Sequence, residues 1–320
     1  METLALNVHE AQTSRLDYPT FEPAPGLLPE LGQIEGTARS AVARQRSELA
    51  WQHLRQCTLC AHRCGVNRLA GEKGPCHAGT EARVFHAQTE VSDERELAPV
   101  FAVSFSGCDL RCDFCNTGRE SWNPQAGEPV VGLNSHFSTL NSLAVRARHA
   151  LTQGARSIMI LGGEPTVHLP AALEFAALLP DDAQLVWKTN AHGTAEARAL
   201  LAGVFNVWLA DYKFGQDTCA QRLARVSNYT PIVQENLRWA ADHTTLIVRH
   251  LLMPGHGECC WRPLAAWLAA ELPGVKVSLR TGFWPGWFST RHPELRKTTS
   301  QSEEERAFAW ARELGLNLIS

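Results

Sequence analysis

The chain has 320 residues, 44% of them hydrophobic, which is enough to bury a large core. Its formal net charge is −3 and its pI about 6.5. That balance excludes the strongly basic footprint of a nucleic-acid binder. The opening METLALNVHEAQ is acidic where a secretory leader would be positive, and no apolar run reaches the ~20 residues of a membrane span. A cytoplasmic protein with no membrane and no nucleic-acid partner is expected. Ten cysteines fall unevenly, with Cys57, Cys60, Cys64 and Cys76 in one group and Cys108, Cys112 and Cys115 in another. In a reducing compartment such tight groups bind metal or react rather than form disulfides.

Residues 1–36 carry Pro19, Pro23, Pro25 and Pro29 without apolar periodicity and read as an irregular arm. A helix is predicted over 38–56. Residues 57–79 form a Cys- and Gly-rich knuckle, followed by a linker to 98. From 99 onward apolar runs of strand length alternate with helical segments. The predicted strands are 99–106, 157–161, 184–189, 207–211, 245–252 and 275–280. The predicted helices are 141–153, 170–179, 194–204, 231–241, 263–272 and 302–314, with a shorter one near 217–225. Pro263 suits a first helical turn, and the acidic run Glu303–Glu304–Glu305 after Ser302 suits a helix dipole.

The strands are apolar throughout, as a parallel sheet covered on both faces requires. Six strand–helix units imply right-handed crossovers and fall short of the eight of a closed barrel. The expected fold is α/β, a partial (β/α)6 TIM-like barrel with its site at the C-terminal strand ends. The division is 1–56 arm and helix, 57–98 knuckle and linker, and 99–320 barrel.

The first strand runs directly into CDLRCDFCN, a CxxxCxxC loop. Its three thiols can ligate three irons of a cubane and leave the fourth open to a small molecule. A structural zinc would take four protein ligands. Three buried thiols acting as small hydrophobes are the plain alternative. Asp109, Arg111 and Asp113, interleaved with the thiols, suit a ligand loop better than a core.

CxxxCxxC after the first strand, with Phe114 just before the last Cys, resembles the radical S-adenosylmethionine (SAM) superfamily signature. More closely, the chain resembles the pyruvate formate-lyase activating enzyme-like group, in its branch with an amino-terminal four-cysteine knuckle. The resemblance runs from Cys57 to the end of the sixth strand. It implies a 4Fe–4S cluster whose open iron chelates SAM. An external low-potential donor supplies one electron, and SAM is cleaved to methionine and a 5′-deoxyadenosyl radical. That radical takes hydrogen from a protein, peptide or small-molecule substrate, as in activation of a glycyl-radical enzyme.

Leu161-Gly162-Gly163-Glu164-Pro165 resembles the family's GGEP turn. The resemblance implies that Gly162, Gly163 and Glu164 contact SAM, with exposed carbonyls accepting from its ammonium group and glycine admitting the close backbone approach. A simple strand-to-helix turn is the bland alternative. By the same resemblance Thr189, Asn190, Asp211 and Lys213 approach SAM from later strand ends. The chain departs from the activating enzymes at Lys188, where they have an acid, so a monovalent cation site is in doubt and Lys188 itself can supply positive charge. Arg249 sits inside an apolar strand and needs a partner, either the SAM carboxylate or Asp211. His250 and His256 read as structural or substrate-side groups.

In the knuckle, CTLCAHRCGVNRLAGEKGPCHAG places four thiols in one short segment, with glycines that fold the chain back. Zinc and a second 4Fe–4S cluster are both compatible, with a lean to iron–sulfur. Cys219, Cys259 and Cys260 show no ligand spacing and read as packing or substrate-side thiols. Trp284 and Trp287 follow the sixth strand, where they can wall a substrate pocket or pack as core at the open barrel edge, the default reading being core. The rival to an enzyme is a non-catalytic iron–sulfur or zinc protein in electron transfer or assembly, which would not need strand-end groups for SAM.

Overall fold

A computed structural model describes residues 37–130 and 139–319; the arm expected over 1–36 lies outside the described residues. The described chain starts with α1 (Arg39–His53) and the knuckle at 57–79. Next come β1 (Ala82–Glu90), β2 (Val100–Phe105), the one-turn helix α2 (Arg119–Trp122) and β3 (Glu128–Val130). Helix and strand then alternate through α3 (Thr139–Thr152), β4 (Ser157–Gly162), α4 (Leu169–Ala177), β5 (Gln184–Thr189), α5 (Ala195–Leu201) and β6 (Val207–Asp211). The rest is α6 (Asp217–Ala224), α7 (Tyr229–His243), β7 (Thr245–Leu251), α8 (Arg262–Glu271), β8 (Lys276–Arg280), α9 (Gln301–Glu313) and β9 (Asn317–Leu318).

Two helix starts, those of α5 and α9, follow side chains that satisfy free N–H groups. Thr194 accepts from the Ala197 N–H ahead of α5. α9 begins one residue earlier than its acidic run suggests, because Ser300 forms a capping box with Glu303. Pro263 lies in the first turn of α8.

All strands join one nine-stranded sheet in the order β3-β1-β2-β4-β5-β6-β7-β8-β9. From β2 to β9 the pairing is parallel, and β1 runs antiparallel to both β2 and β3. The six expected parallel strands are present, and the sheet is open, with β3 and β9 as its edges. β1 lies within the stretch read as linker. Its residues are mostly half-buried, so it lacks the continuous apolar signal of the inner strands.

Alternation along the strands builds two cores. Phe101, Val103, Phe105, Ile158, Ile160, Leu185, Trp187 and Val248 pack outward under the helices. Val100, Ala102, Met159, Val186, Val207, Leu209 and Ile247 fill the inner face, joined by Leu97. Continued two residues at a time toward the C-terminal ends, these inner rows arrive at Lys188, Asp211 and Arg249. The inside of the barrel thus changes from apolar to charged along each strand. The link between β1 and β2 crosses this inner face. Ser278 donates to Glu94 at 2.7 Å, Lys276 pairs with Glu96 at 2.7 Å, and Arg280 with Asp93 at 3.0 Å.

Candidate active site

The cysteine loop turns away from β2 at Gly107, whose φ of +85° is the left-handed region that favours glycine. Cys108 and Cys112 are buried and Cys115 is half-buried. The Leu110 N–H points at the Cys108 sulfur at 3.3 Å, and the Ser121 hydroxyl lies 3.3 Å from Cys115. Asp113 anchors the loop, with Arg225 at 2.8 Å and the His292 ring at 2.8 Å. Phe114 packs edge-on to Phe214 at 5.8 Å. Burial raises the Cys108 thiol well above its usual pKa. It pushes Cys112 up to about 12, against the opposing pull of Lys213.

The glycine pair ending β4 has a packing cause. A Cβ on Gly162 would lie 2.0 Å from the Phe105 carbonyl oxygen, and one on Gly163 would lie 2.1 Å from that of Gly107. The Gly163 and Glu164 N–H groups donate to those two oxygens, both at 2.9 Å. The turn is therefore sewn to the start of the cysteine loop. Glu164 differs from the expected cofactor contact. Its carboxylate is buried and accepts from the Thr166 N–H and hydroxyl (3.1 and 2.6 Å), the Thr189 hydroxyl (3.0 Å) and the Asn190 N–H (2.7 Å). It braces the cavity wall and does not line the cavity. Burial and the Asp109 carboxylate push it up to about 7, while these donors pull the other way.

A cavity of about 220 Å³ opens at the C-terminal strand ends. The three thiols form one side with Leu110 and Phe114. Gly162, Gly163, Thr189 and Asn190 form the next, and Lys188, Asp211, Lys213 and Arg249 the last. Asp211 pairs with Lys213 at 2.6 Å. Burial alone would raise the Asp211 carboxyl, but Lys213, Lys188 and Arg249 hold it below its ordinary range. Burial and the Arg249 charge lower Lys188. Of the two partners open to Arg249, the ion pair with Asp211 is not made. The two residues are register partners on β6 and β7, yet the guanidinium reaches into the link before β2, meeting Asp93 at 2.6 Å and Glu94 at 3.5 Å.

Residues 103–268 match the family described as the Radical SAM superfamily. The chain belongs to the radical SAM superfamily. It is 30% identical over 274 residues to uncharacterised protein MJ0674 of Methanocaldococcus jannaschii, covering 85% of this chain and 79% of that one. Among solved structures it is similar to Streptococcus suis SuiB bound to S-adenosylmethionine, at 17% identity and a TM-score of 0.49, covering 66% of this chain and 47% of SuiB. It therefore spans about half the length of SuiB. A spore photoproduct lyase variant gives a TM-score of 0.49 at 13% identity, over 72% of this chain and 78% of that one.

The knuckle of this radical SAM chain sits against the same mouth. Leu59 and Ala61 exchange backbone hydrogen bonds with the segment after β5, and Cys60 bridges Gly193. The His62 ring meets the Asp109 carbonyl at 2.9 Å, and Arg111 donates to the Pro75 carbonyl at 2.6 Å. The buried Asp109 carboxylate accepts from the Asn190 amide and from the His192 ring, each at 2.7 Å. Gly74 is needed because a Cβ there would lie 2.5 Å from the Cys64 sulfur. A Cys64 hydrogen bond, with help from Arg68, lowers the Cys57 thiol to about 6.

Among the described residues, two groups of three or more donors close to within 4.8 Å of one another: His62–Asp109–His192 and Cys219–His256–Cys259–Cys260. The thiols of 57–76 and 108–115 are not in either. The second group brings together Cys219, Cys259 and Cys260, which show no ligand spacing in the sequence, with His256. Its sequence trace is the short run His256-x-x-Cys259-Cys260; the fourth donor is remote. His250 is structural as expected, its Nδ1 lying 2.8 Å from the Tyr212 carbonyl. Trp284 is 71% exposed, which overturns its reading as core, and Trp287 is 37% exposed. The Trp287 ring packs on Trp122, a cavity residue, at 5.6 Å. The described residues include no helix long and apolar enough to cross a membrane.

Proposed function

We propose that this chain is a radical SAM enzyme that holds a 4Fe–4S cluster on Cys108, Cys112 and Cys115, with SAM at the iron left without a thiol. The observation that carries the reading is the shared cavity, in which three thiols from one loop face a charged, zwitterion-compatible wall. The donor set fits the group. The polar contacts of these sulfurs are the Leu110 N–H, the Asn190 amide, the Thr117 and Ser121 hydroxyls and the Asp109 carboxylate. Among the described residues no fourth thiol or imidazole closes on them at single-ion spacing. When bound, the reduced cluster supplies one electron for reductive cleavage of SAM and so the hydrogen-abstracting power of the family.

The remaining groups bind and orient. Asp211, kept ionised by its three cations, suits an ammonium group, and Lys188 and Arg249 suit a carboxylate. Lys188 supplies positive charge itself, in place of a monovalent cation. Gly162 and Gly163 hold the wall close to the cysteine loop, and Glu164 fixes Thr189 and Asn190 from behind. Among the described residues no three of the knuckle thiols close to single-ion spacing, which supports a second iron–sulfur cluster there over zinc. The aromatic pair of Trp122, which lines the cavity, and Trp287 supports a peptide or protein segment as substrate. Activation of a glycyl-radical enzyme belongs to that class, and a glycyl signal by electron paramagnetic resonance on a candidate partner would identify it.

The test is direct. Anaerobic reconstitution with iron and sulfide, reduction and addition of SAM should yield 5′-deoxyadenosine from the native chain and none from Cys112→Ala. Equal yields from both would remove Cys112 from the site. No yield from either, at full cluster content, would favour a carrier of electrons.

A further inference from the structure

The group at Cys219, His256, Cys259 and Cys260 lies outside the cavity described above and has the dimensions of a single-ion site. Cys219 Sγ is 3.5 Å from Cys259 Sγ, and Cys259 Sγ is 3.9 Å from Cys260 Sγ. The Nδ1 atom of His256 is 3.3 Å from Cys259 Sγ and 3.4 Å from Cys260 Sγ. All four donor atoms lie within 4.8 Å of one another. A tetrahedron with zinc–sulfur bonds near 2.3 Å and a zinc–nitrogen bond near 2.0–2.1 Å has sulfur–sulfur edges of about 3.8 Å and sulfur–nitrogen edges of about 3.5 Å. The observed spacings match that figure. They exceed the ~2.05 Å of a disulfide and fall short of what a cluster of several irons spreads its ligands to span.

The surroundings suit an ion as well. Cys260 and His256 are buried, at 0% and 3% exposure. The far nitrogen of His256, Nε2, lies 3.5 Å from the Glu294 carboxylate. A metal on Nδ1 leaves the ring proton on Nε2, turned to that carboxylate, which is the usual outer support of a ligating histidine. Arg222 donates to the same nitrogen at 3.1 Å and to Glu294 at 2.6 Å; with the ring proton on Nε2 it gives up the ring and keeps Glu294, so the carboxylate is itself held. Two segments must meet closely to assemble the four donors. Cys219 lies in the first turn of α6, and the other three lie in the loop between β7 and α8. Gly215 permits the meeting, since a Cβ there would lie 2.3 Å from the Cys260 carbonyl oxygen.

We propose that Cys219, His256, Cys259 and Cys260 bind one zinc ion as a closed Cys3His site, stapling the first turn of α6 to the loop after β7. Four protein ligands leave no open position, so the ion is structural. The stapled segments follow the strands that carry Asp211 and Arg249, so the ion fixes the spacing of those two strands in one wall of the cavity from behind.

The full-length chain, purified without oxygen from zinc-replete medium, should carry at least one zinc per chain beside its iron by elemental analysis. Cys219→Ser and Cys260→Ser, on different segments, should each lose one zinc per chain, keep their iron and melt at lower temperature. Less than one zinc in the native chain overturns the proposal. Unchanged zinc in the variants overturns it too, as does loss of iron instead of zinc. If both variants fail to fold, zinc K-edge absorption of the native chain decides. A first shell containing nitrogen supports the site, and one of sulfur alone refutes it. A disulfide found by intact mass in the freshly isolated native chain also refutes it.

Discussion

The thiols of 108–115 and those around His256 face the same end of the barrel and are built in opposite ways. The first three come from one short loop, do not close to within 4.8 Å, and border a cavity of about 220 Å³. The second set comes from the first turn of α6 and the loop after β7, closes to within 4.8 Å, and is almost entirely buried around Cys260 and His256. A site meant for chemistry must leave a coordination position facing space that a small molecule can enter. A site meant to hold loops together saturates the ion and excludes solvent. The same side chain, cysteine, serves both, and the distance between sulfurs separates the roles.

The largest effect that tests this contrast is a crossed loss of metals. Cys112→Ala should drop 5′-deoxyadenosine to background and lower iron while sparing zinc. Cys260→Ser should drop zinc while sparing iron. Elemental analysis of both variants reads the result, and loss of both metals in either one would join the two sites.

Next in size is Gly163→Ala. The new Cβ would press on the Gly107 carbonyl oxygen at 2.1 Å and the Ser121 Cα at 3.0 Å. Neither is a flexible side-chain end, so a cost of about 3 kcal/mol in urea unfolding is expected. Gly154→Ala serves as the control. Its φ is +100° but no atom lies within 4 Å of the new Cβ, so about 1 kcal/mol is expected.

Arg249 separates binding from bracing. Arg249→Gln should weaken SAM binding by about tenfold, close to 1.4 kcal/mol, by equilibrium dialysis with the reconstituted chain. Asp93→Asn, at the half-exposed end of the same ion pair, should stay within about twofold. Equal losses would assign Arg249 a purely structural role.

The smallest effect is pH-dependent. Glu164 is raised to about 7 from 4.5, so the folded chain keeps a proton there that the unfolded chain has lost. Its contribution to stability is fully present below the unfolded value and lost as pH rises through about 7. Measured against Glu164→Gln, the native chain should gain about 1 kcal/mol in urea unfolding between about pH 8 and pH 6. A difference that moves the other way would mean the four donors keep this carboxylate ionised.

Much of the barrel was legible because its strands are buried on both faces. The runs 184–189 and 207–211 coincide with β5 and β6, and the other inner strands shift by a residue or two at an end. β1 was not legible, because a half-buried edge ribbon such as ARVFHAQTE carries no continuous apolar run. The cysteine loop was legible because its thiols are neighbours in sequence, and spacing along a loop limits spacing in space. Glu164 was misjudged because a motif names a residue without saying which way it points. Its carboxylate turned inward, to donors on the loop after β5.

The order of residues by itself determined the alternation of strands and helices, and the placing of three thiols at a strand end. Both follow from local periodicity and short loops. Tertiary structure alone decided that Arg249 reaches Asp93 and Glu94, that Trp284 stands in solvent, and that Cys219 meets His256, Cys259 and Cys260. Those contacts join segments far apart in the chain. They depend on how the sheet curves and how closely Gly215 lets two loops approach, and no pattern along the sequence encodes that distance.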